Sequence, residues 1–423
     1  MSAQPTGWSE AALGDVCRIV SGATPKTGVT KYWGGEIPWL TPNDMSRDRS
    51  QTLTGGERYL TELGYDSCSA RLFPAGSVIV SSRAPVGYVA IAGREMCTNQ
   101  GCKTAVPPDF IDSRYLYWYL LAAKPDLEAR ASGTTFKEIS SKRFAETRLV
   151  WPDLAEQRRI VEILEDHLSR LDAADQYVTD SLRRQAAFST ARLQQLIWKQ
   201  PFELTTVAEV LREPMRNGRS DRASDAPNAI RTLTLTAVTR GDFGEHNTKL
   251  TSTSAEVARG LWLEPGDVFV QRSNTPELVG SSARYDGPTS WAIFPDLLIR
   301  LRPDESRMDS RFLAAALRSA RAHRSLRSRA RGLAGSMPKV DQRAVGETVI
   351  PLPPRDRQDE IVAHLNEMQD AGARMRDASV SALRRSAALR RAVLAVAFEG
   401  KLTGRHADDD VMEEAASLEG ATR

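Results

Sequence analysis

Apolar side chains recur at alternating steps of three and four residues along a stretch in the middle of the chain. They are Val161, Leu164, Leu168, Leu171, Val178 and Leu182, with Asp175 as an interruption. Steps of this size place side chains on one face of an α-helix and are typical of a coiled coil. Because residues 153–198 contain neither proline nor glycine, the pattern predicts one unbroken helix of about 45 residues, roughly 70 Å long.

This helical stretch occurs twice in the chain. The matching segments are residues 152–161 with 353–362 and residues 182–187 with 383–388, all at an offset of 201 positions. Two matches in one register indicate a tandem duplication. Pro152 suits the entrance of a helix, and Asp153 followed by Glu156 has the spacing of a capping box.

The second copy has a looser apolar stripe, in which Gly372 is a weak point. Its members are Ile361, Leu365, Met368, Met375, Leu383 and Leu394. Two such rods in one chain most simply pair antiparallel, because each then buries the stripe of the other. A parallel zipper between two copies of the chain is the alternative.

A globular domain precedes each predicted helix. In the first domain we predict an opening strand at residues 13–16, a strand at 37–41, a buried strand at the end of 73–80 and an aromatic-rich helix at 113–123. The second domain repeats this plan, with residues 207–210 at the opening strand and 264–270 aligned with 74–80. The predicted fold class is α+β: two duplicated mixed α/β domains joined by two long antiparallel coiled-coil helices.

Composition changes this interpretation little. A net charge of +3 and 26% charged residues are ordinary values, so composition by itself does not indicate nucleic acid. The four cysteines show no CxxC pairing and the five histidines are scattered, which argues against a disulfide framework or a zinc site and favours a reducing cytoplasm. No apolar run approaches the 18 or so residues of a membrane span. The acidic end, residues 403–423, is expected to be a disordered tail.

Several short motifs, in this order and with the duplication, resemble the specificity subunits of type I restriction–modification systems. They are Leu13-Gly14-Asp15, Ile37-Pro38-Trp39, Gly76-Ser77-Val78, Thr98-Asn99-Gln100-Gly101 and Pro152 followed by Glu156-Gln157. The second half departs from the pattern. It has Arg357-Gln358 in place of Glu156-Gln157 and no copy of the Thr-Asn-Gln-Gly turn.

The resemblance implies a division into two recognition domains and two helical spacers. The expected segments are a first target-recognition domain (1–151), a central spacer (152–199), a second target-recognition domain (200–352), a C-terminal spacer (353–402) and the tail. Each domain would read one half of a bipartite double-stranded DNA target, and the helices would set the gap between the halves.

The resemblance also implies partner subunits. Two DNA adenine methyltransferase subunits would dock along the helices and supply S-adenosylmethionine chemistry, and translocase–endonuclease subunits would complete the restriction complex. S-adenosylmethionine, ATP and Mg²⁺ are therefore expected on the partners and not on this chain, and no membrane is involved.

The residues give no sign of catalysis by the chain itself. An adenine amino-methyltransferase usually has an Asn/Asp-Pro-Pro-aromatic motif, and the pairs Pro107-Pro108 and Pro353-Pro354 do not fit it. No glycine-rich loop opens a helix in the manner of a P-loop or a dinucleotide site. Pro152-Asp153 with Glu156 resembles a nuclease motif, but the same residues open a helix, so we interpret them as a cap.

Candidate DNA contacts lie on polar and basic loops that differ between the two domains. In the first domain they are Lys26, Lys31, Ser81, Ser82, Arg83, Asn99, Gln100 and Lys137. In the second domain they are Arg216, Asn217, Arg219, Gln271, Arg272, Asn274 and Lys339. Arginine suits guanine, while asparagine and glutamine suit adenine. The alternative for each is an ordinary solvated side chain, or an amide bonded to its own turn.

An arginine-rich segment, residues 307–331, favours nucleic acid more clearly. Its arginines are Arg307, Arg311, Arg318, Arg321, Arg324, Arg327, Arg329 and Arg331, against Asp309 alone. Arg321, Arg324 and Arg327 recur every three residues and would form a positive ridge on a helix, suited to phosphate. A solvated face or a surface that docks a partner is the alternative.

Two other functions are compatible with the sequence. One is an orphan specificity subunit that directs methylation without restriction, which neighbouring coding sequence would reveal. The other is a coiled-coil adaptor that does not bind DNA. The polar loops of unequal length argue against the adaptor.

Overall fold

The computed structural model describes residues 7–133, 137–199, 201–332, 337–404 and 407–420. The chain divides into two compact units: unit 1 contains residues 1–178 and 380–423, and unit 2 contains residues 179–379. Each unit therefore consists of one globular domain together with one part of each long helix.

The first domain has a five-stranded sheet and a three-stranded sheet. Its strands are β1 (Ser9–Ala12), β2 (Arg18–Ser21), β3 (Trp33–Leu40), β4 (Thr52–Leu53), β5 (Arg58–Leu60), β6 (Val78–Ser81), β7 (Val89–Ala92), β8 (Cys97–Thr98), β9 (Cys102–Val106) and β10 (Arg148–Trp151). Its helices are α1 (Leu13–Val16), α2 (Pro42–Arg47), α3 (Glu62–Asp66), α4 (Ser113–Ala122), α5 (Lys124–Arg130) and α6 (Ser141–Ala145). The sheet orders are β2-β9-β6-β7-β4 and β5-β3-β8, and β1 pairs antiparallel with β10.

The second domain follows a long helix, α7 (Leu154–Trp198), and has a similar plan with fewer strands. Its strands are β11 (Glu203–Thr206), β12 (Arg216–Asn217), β13 (Ile230–Leu233), β14 (Thr248–Thr251), β15 (Val268–Gln271), β16 (Ser282–Arg284), β17 (Leu298–Leu301) and β18 (Val349–Leu352). Its helices are α8 (Leu235–Arg240), α9 (Ala255–Ala258), α10 (Ser310–Arg318), α11 (Ala320–Ser328) and α12 (Gln342–Gly346). The main sheet has the order β12-β17-β15-β16, β13 pairs with β14, and β11 pairs antiparallel with β18.

The chain ends with a second long helix, α13 (Arg355–Phe398), and a short one, α14 (Ala407–Gly420). In unit 1, Arg390 of α13 forms salt bridges with Asp172 (2.7 Å) and Asp175 (2.9 Å) of α7. In unit 2, Gly372 of α13 faces Gln185 of α7. Early residues of one helix thus meet late residues of the other in both units, which confirms the predicted antiparallel pairing. Asp175 interrupts the apolar stripe because it is the ion-pair partner of Arg390.

The start of α7 has only half of the predicted capping box. The Asp153 carboxylate accepts a hydrogen bond from the backbone N–H of Glu156 (3.0 Å), which satisfies one of the orphan donors of the first turn. The Glu156 carboxylate does not return the bond, because it accepts the hydroxyl hydrogen of Thr403 in unit 1.

Two predicted elements are wrong. Residues 13–16 form the helical turn α1, and Ala208–Val210 is a 3₁₀ turn. The opening strands are β1 and β11, which lie just before these turns. Their strand partners, β10 and β18, directly precede the long helices, so the two ends of each domain meet at the helix entrance. A four-residue segment with apolar residues at both ends does not distinguish a strand from a partly buried turn.

The acidic end is not the disordered tail that the sequence predicted. Residues 407–420 form α14, and Val411 and Ala415 are buried in the core of unit 1 with Leu418 packed against it. These three residues are spaced by four and three positions, so they share one helix face. The acidic side chains of the segment lie mainly on the other faces, so its high charge is compatible with an ordered helix.

Two buried glutamines at corresponding positions join the domains to their long helices. In unit 1, the Gln157 amide accepts from the backbone N–H of Asp112 (2.9 Å) and donates to the carbonyl oxygens of Phe110 (2.9 Å) and Pro152 (3.0 Å). Asp112 caps α4 by accepting from the N–H groups of Arg114 and Tyr115. One side chain thus links the strand exit, the start of α7 and the cap of α4.

Gln358 repeats this arrangement in unit 2. Its amide accepts from the N–H of Asp309 (2.7 Å) and donates to the carbonyl oxygens of Arg307 and Pro353 (both 2.8 Å). Burial would raise the pKa of Asp309, but hydrogen bonds from Arg311 and Arg355 outweigh it and lower the pKa to about 2. This carboxylate therefore stabilises the folded unit at neutral pH, and its contribution declines as the pH falls from about 4 towards 2.

We predict that Gln358→Leu lowers the free energy of unfolding by on the order of 3 kcal/mol, since it leaves one N–H and two carbonyl groups buried without partners. Gln195→Leu, at an exposed position of α7, is the matched control and should cost less than about 1 kcal/mol. Urea denaturation followed by circular dichroism measures both. Equal costs would show that the buried amide does not hold the junction.

Candidate nucleic-acid interface

Three of the predicted DNA contacts are buried in the protein, so their assignment as surface readers is wrong. The Ser81 hydroxyl donates to the carbonyl oxygen of Pro85 (2.7 Å) and accepts from the N–H of Tyr88 (2.8 Å). Ser82 is fully buried. Gln271 is also buried, and its amide nitrogen donates to the carbonyl oxygen of Leu235 (2.9 Å). Polar residues at the end of a buried strand here close the following loop.

Several of the remaining candidates of the first domain lie on loops that contact one another. The Ser82 N–H donates to the carbonyl oxygen of Gly101 (2.7 Å), which brings the loop after β6 to the turn at 99–101. The Asn99 side chain accepts from the N–H of Gly101 (2.9 Å), and the Gln100 side chain accepts from the Thr24 hydroxyl. Asn99 therefore shapes its own turn, while Gln100 is exposed beside the loop that contains Lys26.

Arg83 lies at the same edge and is half-buried. Its guanidinium is 3.8 Å from the Glu138 carboxylate, next to exposed Lys137. Lys31 is also exposed, but its backbone contacts Thr61, on another loop. Arg83, Gln100 and Lys137 are thus positioned as one polar edge, and Lys31 is not tied to it by any contact among the described residues.

Lys103 is a functional candidate that the sequence did not reveal. Its ammonium group donates to the carbonyl oxygen of Gln100 (3.1 Å), and the residue is only 7% exposed. Burial lowers the pKa of Lys103. A lysine within β9, a strand that is otherwise uncharged, was the available signal, because such a charge requires a partner when it is buried.

In the second domain, the loop after β15 occupies the corresponding place. The N–H of Val340 donates to the carbonyl oxygen of Arg272 (2.8 Å), as the N–H of Ile139 donates to that of Ser82 (3.0 Å). The Asn274 side chain donates to Gln271 (2.7 Å) and accepts from the N–H of Thr275 (2.8 Å). Arg272 is half-buried and Lys339 is exposed.

The three remaining candidates of this domain already have partners. Arg216 donates to the carbonyl oxygen of Gly260 (3.0 Å). The Asn217 side chain accepts from Gln342 (2.9 Å). Arg219 forms a salt bridge with Asp221 (3.0 Å). DNA would have to compete for these side chains, so they are weaker candidates than Arg272 and Lys339.

The two loops have one backbone framework and different contents. In each, a glycine N–H donates to the last residue of the strand: Gly87 to Ser81, and Gly280 to Gln271, both at 2.9 Å. The loops between these bonds span residues 82–86 and 272–279, which differ in length. At the matching β-bridge position, the first domain has Glu138 and the second has Lys339. The framework is shared, whereas the charge and reach of the side chains are not.

The predicted ridge of Arg321, Arg324 and Arg327 lies on one exposed face of α11, and α10 does not extend it. The helices α10 and α11 are separate, Arg311 pairs with Asp309 and Asp359, and Arg307 donates to a backbone carbonyl. The exposed arginines of α11 are Arg321, Arg324 and Arg327. Arg321 stacks on Trp198, with 4.3 Å from its guanidinium carbon to the ring centroid. Among the described residues, Arg324 and Arg327 have no salt-bridge partner.

The inner face of α11 packs on the loop after β15. The His323 ring is 3.0 Å from the carbonyl oxygen of Val279, and Leu326 contacts Gly280. Burial lowers the pKa of His323, which favours the neutral ring that donates to this carbonyl. The outer face presents Arg324 and Arg327 beside the loop that contains Arg272 and Asn274. Groups suited to phosphate and groups suited to base edges therefore adjoin in unit 2.

Within the described ranges, no group of three or more His, Cys, Asp or Glu residues could hold a metal ion. None of the helices found there combines the length and apolar character needed to cross a membrane.

The comparisons with known proteins agree with one another: each finds similarity to type I restriction specificity domains or subunits. The family described as "Type I restriction modification DNA specificity domain" matches residues 5–176. The specificity subunit of the type I restriction enzyme MjaIX of Methanocaldococcus jannaschii is 38% identical over 163 residues, which is 38% of this chain and 38% of that protein. The EcoR124I/EcoR124II specificity subunit of Escherichia coli is 29% identical over 180 residues, 41% of this chain and 43% of the relative. The chain thus matches less than half the length of these two relatives.

A solved structure extends the likeness to both domains. It comes from work on complex assembly and conformational transition of the type I R-M system, and it matches with a TM-score of 0.76. The match covers 95% of this chain and 100% of the other, at 19% sequence identity. At this identity the likeness concerns the fold, and it confirms the predicted class of two mixed domains with two long helices.

We predict that Arg324→Gln with Arg327→Gln weakens binding to duplex DNA and reduces its salt dependence. The slope of log K against log salt concentration is negative, and removal of two phosphate contacts should make it less steep by about 2. Arg343→Gln is the matched control, because Arg343 is exposed on α12 and already pairs with Glu347. Fluorescence anisotropy at several salt concentrations provides the measurement. An unchanged slope in the double variant would remove α11 from the interface.

Proposed function

We propose that the chain is a specificity subunit of a type I restriction–modification system and that it reads a bipartite DNA target, one part with each domain. The observation that supports this most directly is the shared loop framework at 81–87 and 271–280 with different side chains and lengths. A duplicated scaffold that keeps its backbone bonds while its loops diverge is suited to two different sequences.

We further propose that the chain has no catalytic activity of its own. Two adenine methyltransferase subunits dock along the helices and provide S-adenosylmethionine chemistry, while translocase–endonuclease subunits use ATP and Mg²⁺. Exposed apolar side chains support docking on the helices: Phe188 of α7 in unit 2 is 64% exposed, and Val380 of α13 in unit 1 is 46% exposed. Methyl transfer or cleavage by the purified chain alone would contradict this proposal. The complex would act on DNA in the cytoplasm.

The paired helices set the gap between the two half-sites. An antiparallel pair with apolar faces buried and an ion pair at Arg390 resists sliding, because a shift of either helix breaks both kinds of contact. The spacing of the target would then be a property of helix length and not of the reading loops.

The division of labour predicts the result of a domain exchange. Replacement of residues 1–150 by the first domain of another family member should change one half of the methylated sequence and leave the other half as it was. Replacement of residues 200–352 is the reciprocal control and should change only the other half. Methylation mapping of DNA from cells with the chimera and its methyltransferase gives the answer. Changes in both halves from a single exchange would refute the two-reader proposal.

The spacer proposal predicts the effect of longer helices. Seven residues inserted after Gln185 and seven after Gly372, which face each other in unit 2, keep both apolar stripes in register. Each helix gains roughly 10 Å, or about three base pairs of duplex length. The half-site sequences should persist while the gap grows by up to that amount, since DNA deformation absorbs part of the change. An insertion in α7 alone is the control and should disrupt pairing. An active double variant with an unchanged gap would assign the spacing to another contact.

A further inference from the structure

A cavity of about 350 Å³ lies within unit 2, between α10, β16 and α13. This volume falls in the range of small-molecule sites. It lies apart from the loops that contain the candidate DNA contacts, and its residues Arg311 and Arg318 belong to the arginine-rich segment. Its lining includes Arg284, Arg311, Arg318, Ala314, Ala315 and Asn366.

Unit 1 shows what fills the corresponding space in the other copy. The capping residues Asp112 and Asp309, each bonded to its buried glutamine, fix the alignment of α4 with α10. Five and six residues beyond the cap, α4 has Tyr117 and Trp118, whereas α10 has Ala314 and Ala315. The rings of Tyr117 and Trp118 lie 4.9 Å apart, edge to face. Two aromatic rings are therefore missing from α10.

The acid that accompanies these rings is missing as well. In unit 1, the indole N–H of Trp118 donates to the Glu165 carboxylate (3.1 Å), which also binds the guanidinium of Arg114. Eight residues after its buried glutamine, α13 has Asn366 where α7 has Glu165. The space that holds an aromatic ring and a carboxylate in unit 1 is thus open in unit 2.

One arginine of the cavity differs from the other two in its ion pairing. Arg311 pairs with Asp309 (2.5 Å) and Asp359 (2.8 Å), and Arg284 pairs with Asp286. Among the described residues, Arg318 forms no salt bridge. It replaces Leu121 of unit 1, and it also lines an adjoining cavity of about 240 Å³. Arg318, which is exposed at the end of α10, thus places a positive charge without an ion-pair partner among the described residues where the other copy has an apolar side chain.

We propose that this cavity binds a small aromatic anion, whose ring lies over Ala314 and Ala315 and whose acidic group pairs with Arg318. The ligand provides in unit 2 a ring in the place of Trp118, and its acidic group lies beside Arg318, the counterpart of Leu121 in unit 1. Asn366 supplies an amide beside the ring in place of the acid. This site is separate from DNA reading, so its failure would leave the proposed function intact.

Indole-3-acetate is the probe, because it joins an aromatic ring and an acidic group. Titration calorimetry with the full chain should show saturable binding, with indole alone and acetate alone each at least about tenfold weaker. Arg318→Leu, which copies unit 1, should weaken indole-3-acetate by about tenfold but leave indole unchanged. Ala315→Trp with Asn366→Glu should fill the space and abolish binding.

Arg343→Leu is the control for loss of an exposed arginine elsewhere in unit 2 and should bind the probe as the parent chain does. Thermal melting verifies that each variant is folded; if the filled variant does not fold, Ala315→Phe serves in its place. Three results would overturn the proposal: no saturable binding to the parent chain, equal binding to the filled variant, or acetate alone as tight as indole-3-acetate.

Discussion

The architecture depends on one buried amide in each unit. Gln157 and Gln358 each join the start of a long helix, the strand that leads into it and the cap of one domain helix, α4 or α10. Because a buried amide must satisfy its donors and acceptor together, only one docking angle between domain and helix fits it. A reading loop can therefore change in length or charge without a change in how its domain meets the helix.

Periodicity and repetition predicted most of the fold. The apolar steps of three and four predicted the first long helix, and the offset of 201 positions revealed the duplication and with it the second. Individual roles were harder to predict, because burial decides them. Ser81 and Gln271 are polar residues beside turns, yet their bonds lie inside the protein. The repetition of Gln157 and Gln358 is visible in the sequence, but residue type alone does not distinguish a buried amide from a solvated one.

Divergence on the shared framework takes two forms. At the loop edge, Glu138 in one domain corresponds to Lys339 in the other, which changes the charge offered to a ligand. Beneath the loops, the aromatic face of α4 corresponds to alanines on α10, which changes the volume between domain and helix. Aromatic rings fill that volume in unit 1, whereas unit 2 has a cavity with an arginine that forms no salt bridge among the described residues. The two copies thus share the junction between domain and long helix, whereas their loop edges and the space between domain and helix differ.

The central claim is that two domains on one framework read two separate sequences. Selection of bound duplexes from a random pool, with the chain assembled with its methyltransferase subunits, tests this directly. The expected result is two enriched blocks of bases separated by an unread gap of constant length. A single uninterrupted block, or two blocks with a variable gap, would contradict the account.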